Sequence, residues 1–131
     1  MKGVYVLVIS INKDISVNIG ALGNVHFERG LYAYVGSAQN SLEKRVERHH
    51  RKKGKRRFWH IDYLLANDAV RIVKVLCKEA ARSEECEIAE KTSMKGTSVT
   101  GFGSSDCRCE SHLFRIEDYG FLREYMHELS T

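Results

Sequence analysis

From Gly3 to Ser10 the chain is almost wholly apolar and rich in β-branched residues, the pattern of a central strand covered on both faces. A turn near Asn12 to Asp14 leads into Ile15 to Ile19, and Gly20 to Asn24 is a turn-rich break. Val25 to Arg29 and Leu31 to Gly36 read as extended segments separated by Gly30. In the second, Tyr32, Tyr34 and Gly36 share one face, while Leu31, Ala33 and Val35 share the other.

The period then changes. Asn40 or Ser41 can cap a helix running to about Arg51. Leu42, Arg45, Val46 and His49 share its apolar side, whereas Lys44, Glu47, Arg48 and Arg51 point elsewhere and His50 lies on a different face from His49. Lys52 to Arg57 is a basic loop around Gly54. Phe58 to Leu65 opens a short helix, with Trp59, Leu64 and Leu65 packing inward. Val70 to Cys77 alternates as Val70, Ile72, Val73, Val75 and Leu76 and reads as a strand, and a helix from about Arg82 to Thr92 follows, with Ser83 as candidate cap. Ala81, Glu85, Ile88, Ala89 and Thr92 form its stripe, so Glu85 turns inward while Glu84, Glu87 and Glu90 face water. Met94 to Gly103 is a loop and His112 to Ile116 a short strand. Tyr119 to Leu129 predicts a closing amphipathic helix with Leu122, Tyr125, Met126 and Leu129 inward. The expectation is one α+β domain over residues 1–131, a small, mainly antiparallel central sheet flanked by helices.

The 131 residues suit one core, and there is no apolar run of membrane-spanning length. The apolar run near Met1 is short and lacks a nearby cleavage site, so it reads as a strand rather than a signal peptide. The net charge of +4 is unevenly placed. Glu43 to Arg57 holds nine Lys or Arg against two Glu, a balance of +7, which leaves −3 for the rest. That concentration points to a polyanion engaged on one side. Without a secretion signal the four cysteines do not argue for disulfides, and cytoplasmic residence is expected. Cys107, Cys109 and His112, with Cys86 as a fourth, form a weaker zinc signal than paired C-x-x-C motifs, so free thiols around a polar turn at Asp106 are favoured.

Tyr5, Arg45, His49 and Glu85 together offer what phosphodiester cleavage requires. A phenolate or imidazole takes a proton from water, a guanidinium holds phosphate and a carboxylate holds a metal ion. An Arg turned toward the apolar side needs an anionic partner, which is either phosphate or a structural ion pair with Glu85.

The triplets Gly3-Val4-Tyr5 and Tyr34-Val35-Gly36, followed in order by Arg45, His49 and Glu85, resemble the GIY-YIG endonucleases, a family that includes the nuclease module of the UvrC repair protein. Phe58 to Asp62 and Gly101 to Cys109 resemble its stand-alone, mostly archaeal, Uri-type branch. The resemblance implies a metal-dependent DNA endonuclease with Tyr5, Tyr34, Arg45, His49 and Glu85 as catalytic residues and Mg²⁺ or Mn²⁺ on Glu85. Gly36 would let phosphate approach closely. Ser37, Arg48, Lys52, Lys53, Lys55, Arg56, Arg57 and His60 complete the expected nucleic-acid contacts, although capping and packing explain His60 and Asp62 equally well.

Two positions depart from the family pattern. Ser37 stands where many relatives have Lys, which raises the weight on His49 as base. Relatives often carry an Asn about a dozen residues after the Glu, near Thr97 here, and no Asn follows Asn67; Ser104, Ser105 or Asp106 are the substitutes at hand. The expected partner is nucleic acid, DNA before RNA, with no membrane. One module cuts one strand, so a double-strand cut would call for a homodimer or a second event. The alternatives are a nucleic-acid-binding module of the same fold without catalysis, and a zinc-stabilised protein-interaction domain.

Overall fold

A computed structural model describes residues 1–52, 54–104 and 107–129. The strands and helices run β1 (Gly3–Ile11), β2 (Ile15–Asn18), β3 (Asn24–Phe27), β4 (Gly30–Ala38), α1 (Leu42–His50), α2 (His60–Leu65), β5 (Val70–Glu79), α3 (Glu84–Ser93), β6 (Gly96–Ser98), β7 (Leu113–Ile116) and β8 (His127–Glu128). Six strands make one antiparallel sheet in the order β6-β7-β4-β1-β5-β8, and β2 pairs with β3 in a small second sheet. The α+β expectation therefore holds.

Strand β1 lies at the centre because nearly every side chain it carries is apolar and must be covered. Tyr5, Leu7, Ile9 and Ile11 face a core shared with Tyr32 and Tyr34 of β4, Leu42 and Val46 of α1, and Ile61, Leu64 and Leu65 of α2. Val4, Val6 and Val8 face the other core with Ala33 and Val35 of β4, Ile88 and Ala89 of α3, and Leu122 and Met126. Each fully buried Leu, Ile or Val contributes on the order of 1.5–3 kcal/mol.

Helix α1 begins where Ser41 accepts the Lys44 amide N–H at 3.2 Å and stops at Arg51, which returns to extended backbone. Helix α2 starts on Asp62, whose carboxylate takes the amide N–H groups of Phe58 and Trp59 at 2.9 and 3.0 Å. Ser83 precedes α3, but its side chain makes no capping bond, and Ala81 is exposed rather than on the buried stripe.

Further sequence expectations are corrected. The segment Tyr119 to Leu129 is not a helix: Gly120–Glu124 makes a short 3₁₀ turn, and His127–Glu128 pairs with Leu76 and Cys77 at the free side of β5. Pairing satisfies backbone groups of β5 that a helix would leave unpaired. Leu122 and Met126 are still buried, whereas Tyr125 is exposed. In β5 the register shifts opposite Val8 and Ile9, so Val73 is the extra residue of a bulge and faces out. Trp59 does not pack inward but stands 38% exposed. The Met94–Gly103 segment also contains β6, which joins the sheet beside β7. No helix among the described residues is long and apolar enough to cross a membrane.

Candidate active site

Strand β7 pairs with β4 only from Leu31 to Tyr34, so Gly36, Ser37 and Ala38 run on beyond it. That uncovered stretch is the floor of a cleft of about 320 Å³ lined by Tyr5, Tyr34, Gly36, Ser37, Gln39, Asn40, Arg45, Trp59, Arg82, Glu85 and Gly103. Successive β4 residues face opposite ways. Gly36 looks toward Tyr5, and Ser37 looks toward α3, where its hydroxyl donates to Glu85 Oε2 at 2.9 Å. Groups from both faces of the sheet thus reach one opening. Gly36 is required here: a Cβ would lie 2.6 Å from Tyr5 Cζ and Oη.

Tyr5 Oη and His49 Nε2 share a 2.8 Å hydrogen bond. Both are buried, and His49 Nδ1 has no hydrogen-bond partner among the described residues. Burial pushes the Tyr5 phenol up, only partly offset by the Arg45 guanidinium. Burial, helped by the nearby charges of Lys55, Arg45 and Arg48 and opposed by Asp62, pulls His49 down to about 3. The pair is therefore a neutral phenol against a neutral imidazole at pH 7, not the near-neutral base that a reference histidine suggests. Tyr34 packs edge-on to His49 and Phe102 and holds the ring in place.

Arg45, one turn before His49, donates from Nη1 to the Ser37 carbonyl at 3.1 Å and lies 4.5 Å from the centroid of the Trp59 ring. Among the described residues the ion-pair partner of Glu85 is His112, not Arg45: His112 Nδ1 stands 3.1 Å from Glu85 Oε1, off the ideal hydrogen-bond direction. Burial alone would lower His112, but the bond and charge of Glu85, with Cys107, prevail and raise its pKa.

The basic run divides. Lys52 Nζ donates to the carbonyls of Leu65, Asn67 and Val70 at 2.8, 3.0 and 2.7 Å. Lys55 Nζ donates to the Arg48 carbonyl at 3.0 Å and sits 3.9 Å from Asp62. Arg48 grips the fully buried Asp62 through both terminal nitrogens, at 2.8 and 3.1 Å, and also lies against Trp59. These three cations hold the loop to the body. Arg56 and Arg57 are exposed, near the rings of Phe58 and Tyr63. Lys53, Ser105 and Asp106 lie outside the described residues. His60 is not in the cleft lining: its Nδ1 accepts the Gly103 amide N–H at 2.9 Å. Thr97 lines a separate groove beside β7, and buried Ser104 bonds the Glu110 carbonyl.

Beside Glu85, Cys86 of α3 meets Cys107, Cys109 and His112, their ligand atoms all within 4.8 Å of one another. This cluster could bind a metal ion. The sequence favours free thiols because its C-x-C-x-x-H run is a weaker zinc signal than paired C-x-x-C motifs; the packing of α3 on the sheet brings Cys86, 21 positions before Cys107, to the other three.

A family model matches residues 4–131, nearly the whole length of the chain. The chain belongs to the family described as domain of unknown function DUF123. No curated protein and no solved structure matches it. What this DUF123 chain does is therefore read from its own cleft. Sequence reasoning named Tyr5, Tyr34, Gly36, Ser37, Arg45 and Glu85 among the lining residues, with His49 directly behind Tyr5. It missed Gln39, Asn40 and Arg82, which carry no motif, and the exposed role of Trp59. The available signal was that Gln39 and Asn40 come three and four residues after the second triplet.

Proposed function

We propose that this DUF123 chain is a divalent-metal-dependent endonuclease of the GIY-YIG kind, hydrolysing phosphodiester bonds in DNA. The observation that carries the reading is the convergence of a buried Tyr5–His49 pair, the Arg45 guanidinium and the Glu85 carboxylate on one cleft. The oxygen donors fit a hard cation. Glu85 is partly open to the cleft, and Mg²⁺ binds to one or two carboxylates with water and phosphate oxygens filling the rest. Such an ion, held by Glu85, would polarise the phosphate and stabilise the leaving oxygen.

The chain's own groups do the remaining work. Arg45 presents planar donors to two phosphate oxygens, backed by Trp59. Water gives its proton to Tyr5 Oη as Tyr5 gives its own to His49 Nε2, so no free phenolate is needed. Negative charge of the bound phosphate raises the proton affinity of His49, which burial holds too low. Ser37 serves Glu85 rather than water, and Gln39 and Asn40 line the same cleft with carboxamides able to contact phosphate. Exposed Arg56, Arg57, Phe58 and Trp59 form a rim that suits backbone phosphates and unpaired bases.

Supercoiled plasmid incubated with the protein and Mg²⁺ tests this. Nicking is expected, with Tyr5→Phe slowing it by about 10²–10⁴-fold and Glu85→Gln abolishing it. DNA binding without nicking, across Mg²⁺ and Mn²⁺ and across duplex, branched and single-stranded substrates, would sink the enzyme in favour of a binding module. The low proton affinity of His49 and the two existing partners of Glu85 are the observations on that side.

A further inference from the structure

We infer that Cys86, Cys107, Cys109 and His112 bind one structural zinc ion and that this centre orients the Glu85 carboxylate. The donor set is three thiols and one imidazole, the soft-to-borderline chemistry that selects zinc over hard cations. Tetrahedral zinc holds sulfur at about 2.3 Å and nitrogen at about 2.0–2.1 Å, which places the ligand atoms roughly 3.4–3.8 Å apart. Here all four lie within 4.8 Å, and Cys107 Sγ is 3.3 Å from His112 Nε2. Small inward movements of the side chains close the site.

The imidazole has the orientation that a metal ligand needs. Nε2 faces the thiols while Nδ1 faces Glu85 Oε1 at 3.1 Å. Zinc on Nε2 leaves the ring proton on Nδ1, beside a carboxylate that a small ring rotation brings into line, the usual outer partner of a metal-bound histidine. With four protein ligands the centre has no open position, so its role is structural. It ties α3, through Cys86, to the segment that carries Cys107, Cys109 and His112 into β7. A disulfide is the poorer use of the same residues, because it pairs two thiols and leaves the third, with the imidazole beside it, unused.

The link to Glu85 rests on the nuclease reading; zinc binding does not. The test is therefore metal analysis of the full chain, purified under reducing conditions without chelator and with no nucleic acid present. One zinc per chain is expected. Cobalt added to metal-stripped protein should give the visible spectrum of a tetrahedral thiolate site. Cys109→Ser should lose both, and Cys77→Ser, outside the cluster, should keep both. Folded protein with less than about a tenth of an equivalent of zinc and no tetrahedral cobalt spectrum overturns the site. Stoichiometric iron, or a disulfide among the three cysteines, overturns it too. Should Cys109→Ser fail to fold, the cobalt titration of the unmutated chain still decides.

His112→Cys separates the second half of the inference. Four sulfurs retain the zinc, but the contact to Glu85 is gone. Zinc retained, with the Mg²⁺ concentration for half-maximal nicking raised several-fold, supports the link; an unchanged Mg²⁺ dependence refutes it. Zinc present in a chain that never nicks DNA sinks the nuclease reading and leaves the metal site standing.

Discussion

His49 makes the stability of this protein depend on pH in a way that can be worked out in advance. Its folded-state pKa is about 3 against an ordinary 6.5, chiefly because it is buried beside Trp59 and Tyr34. Between those values the unfolded chain binds a proton that the folded chain refuses. Stability therefore falls as pH drops below 6.5, by about 2 kcal/mol at pH 5. That is a large share of the roughly 5–15 kcal/mol that holds a typical domain together. In the metal-free chain, where no zinc holds its Nε2, His112 acts with the opposite sign and in another window. Its folded pKa is raised, so its contribution is complete below 6.5 and is lost as pH rises through the folded value. Asp62, held low by Arg48 and two amide N–H groups despite burial, matters only as pH falls through its own depressed folded value. The assay is urea unfolding at half-unit steps from pH 7 to 5, on the unmutated chain and on His49→Gln. All groups common to both chains cancel in the comparison. The unmutated chain should lose about 1.2 kcal/mol more per pH unit near pH 5.5 than the variant. Equal slopes would mean that His49 accepts its proton in the folded state, and the neutral pair argued for the cleft would be wrong.

Three further outcomes follow from contacts described above. Gly36→Ala drives a methyl group into Tyr5 and should cost about 1–3 kcal/mol in urea unfolding while abolishing nicking; unchanged activity would show that Tyr5 does not need its present seat. Asp62→Ala leaves Arg48 and two amide N–H groups without their anion, for an expected loss of about 3–5 kcal/mol, and a loss under about 1 kcal/mol refutes the anchoring role. Lys52→Met should cost about 1.5–3 kcal/mol and leave DNA affinity alone, whereas Arg57→Ala should leave stability within about 0.5 kcal/mol and reduce the salt dependence of binding by about one charge. Titrations in increasing salt distinguish the pair, and the reverse assignment would refute the division of the basic run.

Local periodicity carried far because the sheet and α1 obey it. Tyr5 and Tyr34 sit on the same core-facing side, as alternation requires, and the stripe that holds Leu42 and Val46 does carry Arg45 and His49 toward the sheet. What failed was decided by distant partners. Leu122 and Met126 have the spacing of a helix, but the backbone of β5 offers hydrogen bonds that draw the chain into β8. Val73 looks like a strand residue, and only pairing with β1 reveals that it bulges out. Nothing near Lys52 in the chain announces that three carbonyls of the Leu65–Val70 turn will claim its ammonium. Cys86 is only a possible fourth partner of Cys107, Cys109 and His112 in the sequence, and the packing of α3 against the sheet brings it to them. Glu85 is the intermediate case: helical geometry predicted its inward turn, but its partners proved to be Ser37 and His112 rather than Arg45.

The two outermost strands of the main sheet, β6 and β8, are three and two residues long. Strands this short give a neighbouring molecule almost no backbone ladder to extend, so copies of the chain are poorly equipped to zip together rim to rim. A protein whose central strand is among its most water-averse segments can thus be concentrated without the sheet itself seeding fibres.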